Sequence, residues 1–354
     1  MEKELLEQII KAGNLAPSGG NSQPWEFNVK INESVLEVVM LPEKDHPILN
    51  YKNRGTYIAH GALLENIEIA AKHFGYKINY EIFPRNRISL AIRFIPLNSD
   101  TESNEDLFEF IEKRCSNRKP FSTEPLQENE KTFLLKEISN YPQCKVILID
   151  DRTKIENLAQ NITKDSLINF SNRTMHKLMF KEILFEEKEQ HYKSGLYVRT
   201  LEIPPQAIKI FKLFRYWPIL SIFKKIGFVK KINQGSIKTA QSCALIGGMF
   251  INNNDSDFIY AGKLLENIWL RSTKLNLGFH LITGVPFLWQ RINSEDDNTF
   301  SKREKQIINE SYQKIIDVFD VNEKNKILAF LFRIGKTQPP SAVSYKRQPI
   351  INWL

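Results

Sequence analysis

The feature that most restricts how this chain can fold is a match of the sequence to itself. Gly61-Ala62-Leu63-Leu64-Glu65-Asn66-Ile67 returns as Gly262-Lys263-Leu264-Leu265-Glu266-Asn267-Ile268, an offset of 201 residues. Each copy opens a run of apolar positions at helical spacing. The first run continues to Phe74 and stops at Gly75, and the second continues to Leu275 and stops at Asn276, at the same offset. Gly and Asn are the two residues that most readily take the left-handed conformation closing a helix. A repeat of this length is too long for a solenoid unit and suits a duplicated domain. The competing explanation is a chance match between two amphipathic helices.

A chain of 354 residues has room for two such units, each with a buried core. Its composition, 42% hydrophobic and 25% charged, is that of a globular protein and excludes a fibre or a disordered polymer. The formal net charge of +8 favours anionic ligands, from phosphorylated cofactors to nucleic acid or lipid head groups, without choosing among them. Cys115, Cys144 and Cys243 show no paired spacing, so they read as reduced thiols of a cytoplasmic protein. The amino-terminal segment carries Leu5, Ile9, Ile10 and Ala12 at helical spacing before Gly13-Asn14, which is an amphipathic helix rather than the apolar core of a signal peptide. No run of about 18 apolar residues is present, so no integral membrane contact is expected.

Several catalytic classes lose support at the same level. His46, His60, His73, His176, His191 and His280 form no HExxH or related pair, and no metal site is expected; His60 and His73, on or beside the first repeated helix, read as structural. There is no GxGxxG loop, no GxxxxGK[ST] loop and no GxSxG elbow, which argues against Rossmann, P-loop and serine-hydrolase chemistry.

Two short runs carry chemistry. Ala16-Pro17-Ser18-Gly19-Gly20-Asn21-Ser22-Gln23-Pro24-Trp25 lies between the first helix and a strand-like alternation from Trp25 to Lys30. Gly19-Gly20 lets the backbone come close to a ligand, and the amides of Asn21 and Gln23 both donate and accept. The second run, Arg114-Cys115-Ser116-Asn117-Arg118-Lys119-Pro120-Phe121, follows a helix expected over 105–113. Two planar guanidinium forks with a serine hydroxyl between them suit a phosphate monoester, although a solvated basic turn has the same composition.

Together the two runs resemble the flavin-dependent nitroreductase family, in which an Arg-x-Ser-x-Arg segment and a Pro-Ser-Ser-x-Asn-x-Gln-Pro-Trp segment meet across two subunits. Arg114, Ser116 and Arg118 match the first; Pro17, Ser18, Asn21, Gln23 and Trp25 match the second, with Gly19 where the family often has Ser. The order departs from the family's usual one, because the arginine segment here follows the Pro-Ser segment by about a hundred residues. Where the second half should show its own Pro-Ser-Asn run it has Ile138-Ser139-Asn140-Tyr141-Pro142-Gln143-Cys144, a poor match. Each half thus keeps what the other lacks, as in the long, two-lobed, Acg-like branch of the family.

The resemblance implies an α+β fold in which two related lobes in one chain form a pseudo-dimer, each with a mostly antiparallel sheet flanked by helices, around one FMN. The first lobe is expected over 1–100 and the second over 101–354, joined by the polar run Pro96 to Asn104. Pro17, Ser18, Gly19, Asn21 and Gln23 would form one wall of the FMN site, and Arg114, Ser116 and Arg118 would grip the phosphate and ribityl chain. Thr283 and Gly284, in Leu281-Ile282-Thr283-Gly284-Val285, match the segment whose backbone amide faces flavin N5. Lys346 and Arg347 match a closing basic pair at the phosphate; a solvated basic tail is the alternative for them. The implied function is FMN-dependent, ping-pong electron transfer from NADH or NADPH to a small acceptor such as a nitroaromatic or quinone, with no side chain required as acid or base. An FMN-sequestering protein with a closed lid is the rival reading, and a lipid- or nucleic-acid-binding protein on a dead flavin fold is a third. Neither a nucleic-acid partner nor a fixed oligomeric state beyond the pseudo-dimer is implied.

The stretch from Ala207 to Lys231 is basic, aromatic and partly amphipathic. It falls in an insertion expected over about 195–235, where long family members cover the flavin, so a lid is the favoured reading and Tyr216 and Trp217 are candidates to shield the ring. Contact with an anionic membrane surface and an ordinary packed helix pair stay open.

Overall fold

The computed structural model describes residues 1–97, 106–294, 297–323 and 325–354. Helix α1 (Lys3–Asn14) buries Leu6, Ile9 and Ile10 at helical spacing and is followed by β1 (Trp25–Lys30), whose residues alternate buried and half-buried, and β2 (Val35–Met40). Then come α2 (Arg54–His73), β3 (Tyr76–Arg85) and β4 (Ile88–Pro96). The next stretch has α3 (Phe108–Lys113), α4 (Glu128–Leu134) and β5 (Cys144–Ile149). An insertion follows, with α5 (Arg152–Ile162), α6 (Lys164–Ser171), α7 (Arg173–Glu182), the short β6 (Ile183–Leu184) and β7 (Leu196–Tyr197), α8 (Pro205–Leu213), α9 (Trp217–Lys225) and α10 (Phe228–Gln241). The chain then returns through β8 (Leu245–Asn252), α11 (Asp255–Lys274), β9 (Gly278–Ile282), α12 (Gly284–Ile292), α13 (Lys302–Phe319), β10 (Lys326–Gly335) and β11 (Ile351–Trp353).

The result is an α+β fold with two principal sheets. One runs β11-β1-β2-β4-β3 and the other β5-β8-β10-β9, so the four consecutive strands of each are laid down in the same order, first, second, fourth, third. Within both four-strand sets every pairing is antiparallel. β11 departs from this by adding in parallel to the edge of β1, with Phe27 opposite Ile351.

Helices α2 and α11 pack against each other between the sheets, and both are 20 residues long at the 201-residue offset. They begin seven residues before the glycines that the sequence pattern marks as their starts. Gly61 and Gly262 are instead where the helices cross. A Cβ on Gly61 would lie 1.9 Å from the Ile259 carbonyl oxygen, and one on Gly262 would lie 2.0 Å from that of Ile58. Glycine is needed because the two backbones touch. The expected stops hold their geometry, since Gly75 and Asn276 both have positive φ, at 82° and 55°.

The polar linker and the division near residue 100 lie largely outside the described residues, as does Glu105; the helix expected over 105–113 is described from Phe108. The insertion is wider than the expected 195–235, filling the whole span between β5 and β8. Its α8, α9 and α10 form a small unit over Phe170, Phe214 and Leu220, because bulky aromatics packed this close together bury one another. No helix among the described residues is long and apolar enough to cross a membrane.

Candidate functional site

A cavity of about 770 Å³ opens between the crossed helices, the turn after α1, the segment after α3 and the stretch leading to β11. Its size falls within the range of small-molecule sites, roughly 300–1,000 Å³.

The turn after α1 is held by its own side chains. Gly20 and Asn21 both have φ of 55° and Gln23 has φ of 46°, a tight left-handed course. The Gln23 amide N–H donates to Ser18 Oγ at 2.9 Å. Asn14, which the sequence marks only as a helix stop, is buried here, and its Oδ1 accepts from Gln23 Nε2 and Trp25 Nε1, both at 3.0 Å. The turn is also tied to residues 345–347. Asn21 Nδ2 donates to the Tyr345 carbonyl at 2.8 Å, and the Arg347 N–H donates to Gln23 Oε1 at 2.8 Å while Gln23 Nε2 donates back to the Arg347 carbonyl at 3.1 Å. Pro17, Ser18, Gly19, Gly20 and Asn21 line the cavity. Gln23 does not: both ends of its amide are used to hold the strap.

Arg114, Ser116 and Arg118 reach the same cavity from a hundred residues away. Their segment is pinned by Asn117, whose N–H donates to the Phe279 carbonyl at 2.9 Å and whose Nδ2 donates to that of Gln338 at 2.8 Å. The Arg114 guanidinium lies 2.8 Å from Glu266 Oε1 through Nε, donates to the Leu15 carbonyl at 2.8 Å and sits 4.6 Å over the Trp269 ring. Arg118 donates to the Thr200 carbonyl at 3.1 Å. Lys346 also lines the cavity and donates to the Ala16 carbonyl at 2.8 Å.

Arg347 is turned elsewhere, donating to Ser194 Oγ and to the Ser22 carbonyl. Thr283 lines the cavity but Gly284 does not. The Asp165 carboxylate fills the space beside Gly284, where a Cβ would lie 2.2 Å from Asp165 Oδ2. The lid aromatics are not on the cavity either. Tyr216 is half exposed on the outer surface, and Trp217 meets His176 edge-on and carries the Lys224 ammonium 4.7 Å over its ring. The cavity is instead covered by Glu182, His191, Leu196 and Thr200 from the earlier part of the insertion and by Ala342 to Lys346.

The cavity is electrically lopsided. Arg114 pairs with the buried Glu266 carboxylate, and Lys346, bonded to the Ala16 carbonyl, is close enough to feel both charges. Burial and the neighbouring guanidinium push the Lys346 ammonium down to about 7, and burial pushes the Glu266 carboxyl up to about 7 against the pull of Arg114 and Lys346. An anion placed here would relieve the repulsion between Arg114 and Lys346. Beside Gly19 and Gly20 stand two carboxyls that sequence reading missed. Asp45 accepts from the His46 N–H at 2.8 Å and from Thr56 Oγ1 at 3.1 Å, and burial raises it to about 6. Burial, with Asp45 nearby, raises Glu182 to about 7. No local pattern in the sequence distinguishes these two acids from solvated ones. Leu281, Phe287, Trp269 and Leu265 give the cavity an apolar side.

Residues 1–40 match the Nitroreductase family model. That match takes in the turn from Pro17 to Trp25 and stops well before Arg114. Over almost its whole length the chain is similar to an uncharacterized protein of Mycobacterium tuberculosis (strain CDC 1551 / Oshkosh), at 20% identity over 350 residues, 96% of this chain and 47% of that protein. The chain therefore spans about half the length of this curated relative. Among solved structures, an FMN-dependent nitroreductase from Clostridium difficile R20291 is 16% identical with a TM-score of 0.35, covering 67% of this chain and 90% of that one. A nitroreductase with bound FMN from Bacteroides fragilis NCTC 9343 is 10% identical, also with a TM-score of 0.35, covering 66% and 90%.

Proposed function

We propose that the cavity holds FMN and that the chain is an FMN-dependent oxidoreductase of the nitroreductase type, taking electrons from NADH or NADPH and passing them to a small acceptor such as a nitroaromatic or quinone. The observation that carries the reading is the convergence of Pro17–Asn21 with Arg114, Ser116, Arg118 and Lys346 on one cavity. The donor set fits the group: cations and a hydroxyl for a phosphate, and an apolar side for a planar ring.

Arg118, Lys346 and Ser116 would hold the phosphate, with Arg114 kept in place by Glu266 and the Leu15 carbonyl. Trp269, Phe287 and Leu281 exclude water from the ring side. On the wall beside Gly19 and Gly20, burial raises Asp45 to about 6 and Glu182 to about 7, so Glu182 is the one that exchanges its proton near neutral pH. When bound, the flavin supplies the two-electron chemistry, while the protein supplies position and charge. In this reading the chain is a fused pseudo-dimer, with the turn from one half and the arginines from the other completing one site.

One observation favours the rival reading, FMN sequestration. The strap over the cavity is fastened to the insertion: the Tyr345 N–H donates to Gln190 Oε1 at 3.1 Å, its hydroxyl donates to Glu187 at 2.7 Å, and Ser341 donates to Glu202 through both its N–H and its hydroxyl. Two measurements separate the possibilities. Purified protein incubated with FMN should retain it with an oxidised-flavin absorbance spectrum, and Arg118→Ala should weaken retention by about ten- to a hundredfold, the range for a hydrogen bond to a charged group. A chain that takes up no FMN overturns the cofactor assignment. Anaerobic mixing with NADH and NADPH should bleach the bound flavin within seconds to minutes; flavin that is held but never reduced makes the protein a store.

A further inference from the structure

Between residues 205 and 241 the sequence has eight lysines and arginines and no Asp or Glu, a local charge equal to the +8 of the whole chain. Among the described residues none of the eight forms an ion pair. The same segment leaves large aliphatic side chains in solvent: Ile210, Leu213, Ile222 and Ile226 are between 49% and 76% exposed. The exposed positions recur at helical spacing, Gln206, Ile210 and Leu213 on α8 and Pro218, Ile222 and Lys225 on α9, so each helix turns one face outward.

We propose that this outward surface of α8, α9 and the start of α10 docks on an anionic lipid bilayer, as a peripheral contact that does not span it. Unpaired lysines supply attraction to acidic head groups, and the isoleucines and leucine between them supply apolar area for the acyl boundary. Lipid fits better than nucleic acid because the segment's aromatics are occupied. Phe211, Phe214, Trp217, Phe223 and Phe228 pack within the unit, leaving Tyr216 as its one exposed aromatic ring, where nucleic-acid binding calls for rings free to stack on bases. The inference is independent of what the cavity binds.

The test is flotation of the full chain with vesicles of phosphatidylcholine alone and of phosphatidylcholine with one quarter phosphatidylglycerol. The wild-type protein should float with the anionic vesicles, stay behind with the neutral ones, and be released as salt rises and the screening length shortens. Each lysine near an acidic surface contributes about fivefold in affinity, so the variant Lys225→Glu/Lys230→Glu/Lys231→Glu should bind at least about a hundredfold more weakly. Ile222→Ser/Ile226→Ser should weaken binding at an unchanged salt dependence. These side chains are exposed, so the variants should keep the wild-type thermal transition, which checks that they fold. No flotation with anionic vesicles, equal flotation with neutral ones, undiminished binding by the triple variant, or preference for a DNA oligonucleotide over the vesicles would each overturn the proposal.

Discussion

Glu65 and Glu266 occupy the same position in the repeated helices α2 and α11, but Asn267 donates to Glu65 at 2.9 Å, whereas the equivalent Asn66 donates to the Ala12 carbonyl at 3.3 Å. What surrounds the two carboxyls differs. Around Glu65 the space is filled by protein. Tyr141 donates to it at 3.3 Å, and Lys263 stands 3.8 Å away, binds Glu68 as well, and lies under the Tyr80 ring at 4.7 Å. Burial lowers the Lys263 ammonium, but Glu65 and Glu68 outweigh it and hold it above its ordinary value. Around Glu266 the cations are Arg114 and Lys346, both of which line the cavity. One sequence element thus serves two ends. A carboxylate answered by a lysine with a second acid and a tyrosine makes a closed core, whereas one answered by two cations leaves positive charge for a ligand.

The sharpest way to break this contrast is to remove one cation from each side. Arg114→Met and Lys263→Met each strand a buried carboxylate, and each should cost about 3–5 kcal/mol in denaturant unfolding. Only Arg114→Met should also lose FMN; equal loss of FMN from both would mean that the Glu65 region binds ligand after all. Next comes the crossing itself. Gly61→Ala and Gly262→Ala place a Cβ about 2 Å from an opposing carbonyl oxygen, so each should lower stability by about 3 kcal/mol or more and by similar amounts. A large inequality in thermal or urea midpoints would show that the two helices do not contribute alike. The smallest effect is in pH. Lys346 loses its proton near 7 in the free cavity, and a bound phosphate favours the charged form. Binding above pH 7 therefore takes up a proton, and FMN affinity should fall as pH rises from 7, by at most tenfold per unit, or about 1.4 kcal/mol. Lys346→Met should flatten that slope in a fluorescence titration.

Much of the site's frame is legible in the sequence because it depends on local chemistry. The turn residues Gly20 and Asn21 and the helix stops Gly75 and Asn276 are read from backbone preference, and the structure gives all four positive φ. Gly61 and Gly262 mislead, since a glycine ahead of an apolar run reads as a helix start, and only contact with the other helix explains it. Gln23 and Arg347 have side-chain chemistry suited to a ligand, yet they bond across 324 residues to one another's neighbourhood. Asp45 and Glu182 escape notice for the opposite reason: nothing near them in sequence marks them, and their raised pKa values come from tertiary burial and, for Glu182, from Asp45 brought close by the fold. The basic aromatic stretch is correctly read as amphipathic, but periodicity cannot say that its aromatics turn inward and its aliphatics outward.

The pairing of β11 with β1 also bears on how the molecule is made. Phe27 must wait for Ile351, so the edge of the first sheet stays bare until a segment 324 residues downstream has been synthesised and brought back. Closing so long a loop adds little to the entropic cost, which grows only with the logarithm of length, but it delays the event. Until then β1 presents free backbone donors and acceptors to any other strand. The cavity is roofed by the same returning segment, from Ala342 to Lys346. Completion of the sheet and closure of the cavity are therefore coupled, and a ribosome-bound chain stalled before residue 342 has neither.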